Sequence, residues 1–359
     1  MTVTRLSGLI AWISLSATSA TAAMAAAAPS PPVFSVEKRW PVGGEGGWDY
    51  LTVGETGSRL FVSRGTRVDV LDTSSGAIIG SILNTDGVHG IAIAPELERG
   101  FTSNGRADSV TAFDLKTLAV IQEAKVPGHN PDAILYEPAS KHVFTFNGKS
   151  KDVTVLDALK LSVVATIPVP DKPEFAVDDG EGSVFGNIES DAGQMVVIDS
   201  RKLTSRAVWP LPGCSRPTGL AIDREHHRLF SVCDHKVMVV TDSRTGRQVA
   251  RVAIGDGPDA AAYDPLRGLV FSSNGEGNLT VVRQVSPDRY EVAETVPTER
   301  GARTMALDAA RGRVYLVTAR LAPAPAPTPD HPHPRGTPLP GSFTVLVVGA
   351  GSGAAMRAP

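Results

Sequence analysis

Cysteine is nearly absent from this sequence. Two cysteines, Cys214 and Cys233, stand in 359 residues, too few for a four-cysteine zinc site, and neither lies in a Cys-x-x-Cys-His haem attachment. An excess of one charge is missing too: 35 Lys and Arg face 38 Asp and Glu, a net charge of −3, which argues against a chain built mainly to neutralise phosphates. No apolar run reaches the ~20 residues that a membrane-spanning helix needs. Helical periodicity is lacking as well, because Pro, Gly and Asn interrupt the chain every eight to twelve residues. Nor does any stretch match a nucleophile elbow, a phosphate loop or a dinucleotide motif; GETG and NGEG fall between strand-like runs.

What is present is an ordinary globular composition, 42% hydrophobic and 20% charged, able to bury a large core. The N-terminus runs from Arg5 through the apolar LSGLIAWISLSA into the small-residue TSATAAMAAAAPS. That order is the one of a secretory signal, expected over residues 1–28 with cleavage at about 22–28. The mature chain is therefore expected to be periplasmic or secreted, with no membrane span. No cysteine lies near the cleavage zone, so a lipid anchor is not indicated.

Self-similarity organises the rest. The text PDAILYEPASKHVFTFNGKSKDVTVLDALKLSVVATIPVP, which starts at Pro131, recurs in units that begin at Trp48, Val88, Pro131, Pro173, Pro217, Pro258 and Ala302, forty to forty-four residues apart. An aromatic marks the second segment of each: Phe61, Phe101, Phe144, Phe185, Phe230, Phe271 and Tyr315. Every unit offers four short runs rich in Val, Ile, Phe and Thr, such as DAILYE, HVFTFN, DVTVLD and LSVVATIPV. Four strands per unit, repeated seven times, predict an all-β, seven-bladed β-propeller of four-stranded blades over residues 33–350. The seventh unit lacks a fourth strand, and VFSVEKRWPVG at residues 33–43 resembles one. It is expected to complete that blade and close the ring without an open edge. Residues 351–359 read as a flexible tail. Asp72, Asp114, Asp157, Asp199 and Asp242 end third strands as turn caps, and Glu137 and Asp264 mark first-to-second-strand turns.

The tetrapeptides FTSN, FTFN and FSSN, the Pro-Asp-Ala unit starts and the VTVLD-type third strand resemble the YVTN repeat of the YncE-like propellers. That resemblance runs over residues 33 to about 350. It implies a secreted or periplasmic seven-bladed propeller; function does not follow from it, since one scaffold serves enzymes and binders alike. One member of that family has been linked to DNA binding.

In such a fold the start of each first strand faces one mouth of the central channel. The seven mouth positions are Asp49, His89, Asp132, Glu174, Thr218, Asp259 and Arg303. Loops expected on the same face carry Arg64, Asn104, Asn147, Asn187, Asp234, His235 and Asn274. The Phe and Asp positions recur while the mouth positions vary, which makes the mouth the expected site for an unidentified small molecule or protein partner. Asp49, His89, Asp132 and Asp259 could hold a divalent cation, Ca²⁺ or Mg²⁺ through oxygen ligands or Zn²⁺ through His89; a hydrated polar funnel is the alternative. Cys214 and Cys233 flank one inner strand and are expected to form a disulfide in an oxidising compartment. A thiolate metal site with His235 is the competing reading. Residues 321–341, LAPAPAPTPDHPHPRGTPLPG, form a Pro-rich insertion in blade 7, with Asp330, His331 and His333 as conceivable Cu²⁺ or Zn²⁺ ligands.

No catalytic residue is identified, so a monomeric, non-enzymatic binding protein is the first expectation. The second is a metal-dependent hydrolase similar to gluconolactonase-type propellers, whose members have six blades and whose Asn and Glu ligands find no match here. Nucleic-acid binding is third: Arg64, Arg106, Lys149 and Lys151 supply positive charge, which the acidic ring opposes.

Overall fold

The computed structural model describes residues 1–2, 33–326 and 336–351. The expected leader, Asp330, His331, His333 and the tail beyond residue 351 lie outside the described residues. The chain divides into two units, 1–31 and 32–359, and every described strand belongs to the second.

Twenty-seven strands and one 3-10 turn make up the described residues. Five sheets have four strands and a sixth has seven. The seven-stranded sheet exists because one 17-residue strand, Ile78–Ala94, serves twice. Its first part pairs with Gly65–Asp72 and its second with Arg99–Asn104. Split there, the strands sort into seven four-stranded units, which fit a seven-bladed propeller. The first strands of the seven are Leu51–Val53, the second part of Ile78–Ala94, Pro131–Glu137, Pro173–Asp178, Leu220–Asp223, Pro258–Asp264 and Met305–Asp308. Phe34–Pro41 pairs antiparallel with Thr344–Ala350 and so supplies the outer strand of blade 7.

The seven second-strand aromatics explain the period. Phe61, Phe101, Phe144, Phe185, Phe230, Phe271 and Tyr315 are all at most 1% exposed, and the buried apolar side chains gather into seven clusters, each shared by two neighbouring blades. One cluster joins Tyr315, Val317 and Val345 of blade 7 to Leu51, Leu60 and Leu71 of blade 1. Truncating any one of these aromatics would cost about 3–5 kcal/mol. First strands touch in sequence round the unit, and the last lies against the first. Polar ties reinforce three of the steps: Thr52 Oγ1 donates to Ile91 O (2.7 Å), Asn187 Nδ2 to Thr218 O (2.9 Å) and Thr218 Oγ1 to Pro258 O (3.1 Å).

Third strands end in the turn caps that the sequence predicts. Asp72 Oδ1 accepts the backbone N–H groups of Ser74 (3.1 Å) and Ser75 (2.9 Å), and hydrogen bonds from both serines hold its carboxyl down at about 2. Asp114, Asp157, Asp199 and Asp242 repeat the pattern. Glu137 is fully buried and accepts from the N–H groups of Ala139 and Ser140.

Candidate functional site

The mouth positions are set by a break in pairing. In blade 2 the inner ladder pairs Val88 with Asn104 and resumes at Ile91 with Thr102, leaving His89 and Gly90 unpaired. The same irregularity releases Asp132 in blade 3, Glu174 in blade 4 and Asp259 in blade 6. In blades 1, 5 and 7 the first strand starts three residues later than the repeat predicts, so Asp49, Thr218 and Arg303 precede the ladder altogether. A bulge frees a side chain from the up-down alternation of a strand and re-aims it.

Three of the freed residues meet. His89 Nδ1 stands 2.6 Å from Asp49 Oδ2 and 3.7 Å from Asp132 Oδ1, and one potential ligand atom from each residue lies within 4.8 Å of the others. Gly105 leaves room for the imidazole, since a Cβ there would sit 2.6 Å from His89 Nε2. Burial alone would lower the His89 pKa, but the hydrogen bond to Asp49 and the charges of Asp132, Asp49 and Glu174 lift it to about 9. Burial, helped by Glu174 and Asp49, pushes Asp132 up to about 7 against the pull of His89 and Lys172. Burial likewise raises Glu174 to about 7, with Lys172 opposing it and Glu189 and Asp259 adding to it. Lys172 bridges Glu174 (2.7 Å) and Glu189, and Glu189 also receives Arg216 (2.6 Å).

An aromatic contact spans the unit nearby. Tyr50 of blade 1 and Phe175 of blade 4 belong to blades three apart, yet their rings meet at 5.4 Å. The Tyr50 phenol is pushed well up by burial and then by the charges of Asp132, Glu174, Asp49 and Asp259.

On the other side of the mouth a cleft of about 1020 Å³ opens between blades 6, 7 and 1, lined by Trp48, Asp49, Glu299, Arg300, Arg303 and Arg320 among others. Arg303 is held by Asp259 at 2.9 Å. The stem of the Pro-rich insertion borders the cleft: Leu321 bridges Pro338, and Ala322 N donates to Thr337 O at 2.9 Å.

Known proteins share this architecture without sharing the sequence. No known protein family and no curated protein matches the chain. Solved structures do. The WD40 repeats of RRP9 superpose with a TM-score of 0.72 at 10% identity, over 88% of this chain and 98% of theirs. A chain of the mitotic checkpoint complex gives 0.69 at 11% identity, over 96% and 99%. Hydrazine synthase of Kuenenia stuttgartiensis gives 0.67 at 17% identity, over 75% and 92%. The fold is a β-propeller. At such identities the likeness speaks for the fold alone.

Several side chains expected at the propeller's mouth are elsewhere. Asn104, Asn147 and Asn274 are fully buried at second-strand ends. Each donates to the start of its third strand: Asn104 to Ser109 and Thr111, Asn147 to Asp152 and Thr154, Asn274 to Asn278 and Thr280. They bolt two strands together and do not line a site. Asn187 is buried as well, tied to the neighbouring blade. Arg64 is 1% exposed, donates to the carbonyls of Gly43 and Glu45, and lies 3.7 Å over the Phe343 ring; burial lowers its pKa to about 10. Asp259 stands apart from the Asp49–His89–Asp132 group, in its ion pair with Arg303. Of the other basic residues, Arg106 pairs with Asp86 (2.9 Å) and Lys151 with Asp171 (2.7 Å). Cys214 and Cys233 form a disulfide with Cα atoms 5.3 Å apart, so they offer no thiolate to His235 or a metal. His129 is exposed and pairs with Asp108 at 2.9 Å.

Sequence reasoning missed Tyr50, Phe175, Trp48, Arg300 and Arg320. A signal existed for the first two. The residue after each mouth position is Tyr50, Gly90, Ala133, Phe175, Gly219, Ala260 or Thr304, and the two rings stand out among small neighbours.

Proposed function

We propose that the chain is exported by a cleaved leader, closes as a seven-bladed ring on its own N-terminal strand, and binds a small ligand or protein partner at the channel mouth without chemistry. Its repeats resemble those of the YncE-like group, to which we assign it on that likeness. Pairing of Phe34–Pro41 with Thr344–Ala350 and the apolar cluster shared by blades 7 and 1 support closure. The Cys214–Cys233 disulfide is compatible with an oxidising compartment, and no helix among the described residues is long and apolar enough to cross a membrane.

One observation supports the binding reading: in all seven blades the ladder skips or starts after the same repeat position, and the residues so released are four acids, a His, a Thr and an Arg. Variable polar groups on a rigid frame suit selective recognition. Native mass spectrometry of the chain exported by a bacterial host and exposed to periplasmic extract tests it. A mass starting within residues 22–28 and carrying an adduct lost on denaturation is expected. An unprocessed mass overturns export, and a processed chain without adduct overturns mouth binding.

The Asp49–His89–Asp132 group favours a second reading, a cation-dependent hydrolase. Its three ligand atoms are close enough to share one ion. His89 Nδ1, however, is committed to Asp49, and with a pKa of about 9 the ring is a cation at neutral pH. A metal would have to displace that proton. Elemental analysis of the exported protein that finds stoichiometric metal would favour this reading.

A further inference from the structure

The cleft at the mouth has an unbalanced charge inventory. Its two acids are already matched: Asp49 holds His89 at 2.6 Å, and Glu299 holds Arg39 at 3.0 Å. Of its three arginines, Arg303 is matched to Asp259. Arg300 and Arg320 have no side-chain partner among the described residues. Their backbones are nonetheless fixed, because Thr318 Oγ1 donates to Arg300 O at 3.0 Å and Arg320 N donates to Ser342 Oγ at 3.1 Å. Two arginines with fixed backbones, and with guanidinium groups unmatched among the described residues, thus border a volume large enough for a drug-sized molecule.

Apart from the hydroxyls of Thr304 and Thr318, the remaining lining is apolar or bare. Trp48, packed at 5.4 Å against Phe343, offers an indole held in place from behind. Glycines 47, 257, 275 and 301 contribute no side chain, and a Cβ on Gly47 would meet nothing within 4 Å. Leu321 and Leu339, from the stem of the Pro-rich insertion, add an apolar edge. A guanidinium presents a rigid fork that matches a carboxylate or a phosphate through two hydrogen bonds, and an indole face suits a flat apolar body.

We propose that this cleft is a binding site for a small organic oxyanion, a carboxylate or phosphate on a flat apolar body, with Arg300 and Arg320 gripping the anion and Trp48 covering the body. The assignment deepens the mouth-binding reading and rests on it. Isothermal calorimetry on the mature protein tests it with four probes of one shape: benzoate, phenyl phosphate, benzamide and benzylamine. Both anions bind, each at least tenfold more tightly than benzamide. Arg300→Gln and Arg320→Gln each weaken the anions about tenfold and leave benzamide unchanged. The stronger of the two anions identifies the head group. Benzamide binding as tightly as benzoate, or anion binding untouched by both substitutions, overturns the assignment. Tight binding of benzamide or benzylamine alone leaves the mouth reading standing while the oxyanion assignment falls. Silence from all four probes overturns the assignment too; the wider reading is judged separately, by the adduct on the exported chain.

Discussion

The two sides of the mouth use charge in opposite ways. Across blades 1 to 4, Asp49, His89, Asp132, Glu174 and Lys172 are largely withdrawn from water and pair with one another. Across blades 6 and 7, Arg300 and Arg320 stand exposed beside a cleft and pair with nothing among the described residues. The acidic side comes from the repeat, through a bulge or an unpaired start that each blade fills differently, whereas Arg300 and Arg320 stand outside those positions, in the connection before blade 7 and after its second strand. Charges that satisfy each other serve the fold. Unmatched charges on a fixed backbone are left for something else.

Breaking the acidic side should have the largest effect. His89→Ala leaves Asp49 and Asp132 facing each other without a cation. The expected loss is about 3 kcal/mol at pH 7 in urea unfolding, at the low end for buried pairs because 28% of the His89 and Asp49 side-chain surface stays wet. Adding Asp132→Asn should change that little at pH 7, because without the pull of His89 the Asp132 carboxyl, already raised to about 7, keeps its proton and is neutral.

Proton linkage sharpens the contrast. His89 binds its proton more tightly folded than unfolded, so its contribution is complete below pH 6.5 and lost as the pH rises through about 9. Asp132 acts in the same direction, because a carboxyl raised to about 7 prefers its proton in the folded state and costs stability once ionised. Unfolding curves between pH 6 and 10 should therefore show a decline of at least about 3 kcal/mol on the alkaline side, most of it from His89. His89→Gln should flatten most of it, whereas Arg320→Gln should leave the slope as it is.

The arginine side should be almost silent in stability. Arg300→Gln and Arg320→Gln are each expected to shift unfolding by less than about 0.5 kcal/mol; a larger loss would mean these charges hold the fold together after all. The smallest effect is that of salt. Because these groups are exposed, raising ionic strength from ~0.05 to ~0.5 M should weaken benzoate binding a few-fold and leave the unfolding midpoint nearly fixed.

Much of the architecture was legible because it is repeated. An aromatic on all seven second strands and an aspartate at the end of five third strands report the same packing and the same turn, and the structure uses them that way. Applied consistently, that logic would also have caught the asparagines. Asn104, Asn147 and Asn274 recur too, each followed by a polar-x-Thr/Ser pattern in SVT, DVT and NLT, which is the text of a buried side chain with partners. The bulges could not be read, since whether a ladder skips a residue depends on the neighbouring strand and leaves no fixed residue type behind. Arg300 and Arg320 were equally invisible: they matter because no described side chain pairs with them, and a sequence does not state which charges stay unpaired in space.

The contact between Tyr50 and Phe175 has a consequence for traffic. A ring of blades invites the picture of a pipe, but two aromatic side chains from far-apart blades meet across this one and narrow the way through. A guest at the mouth should then exchange chiefly on the side from which it entered. Residence is then governed by how firmly the rim holds, so a single rim substitution should change how long a guest stays far more than how fast it arrives.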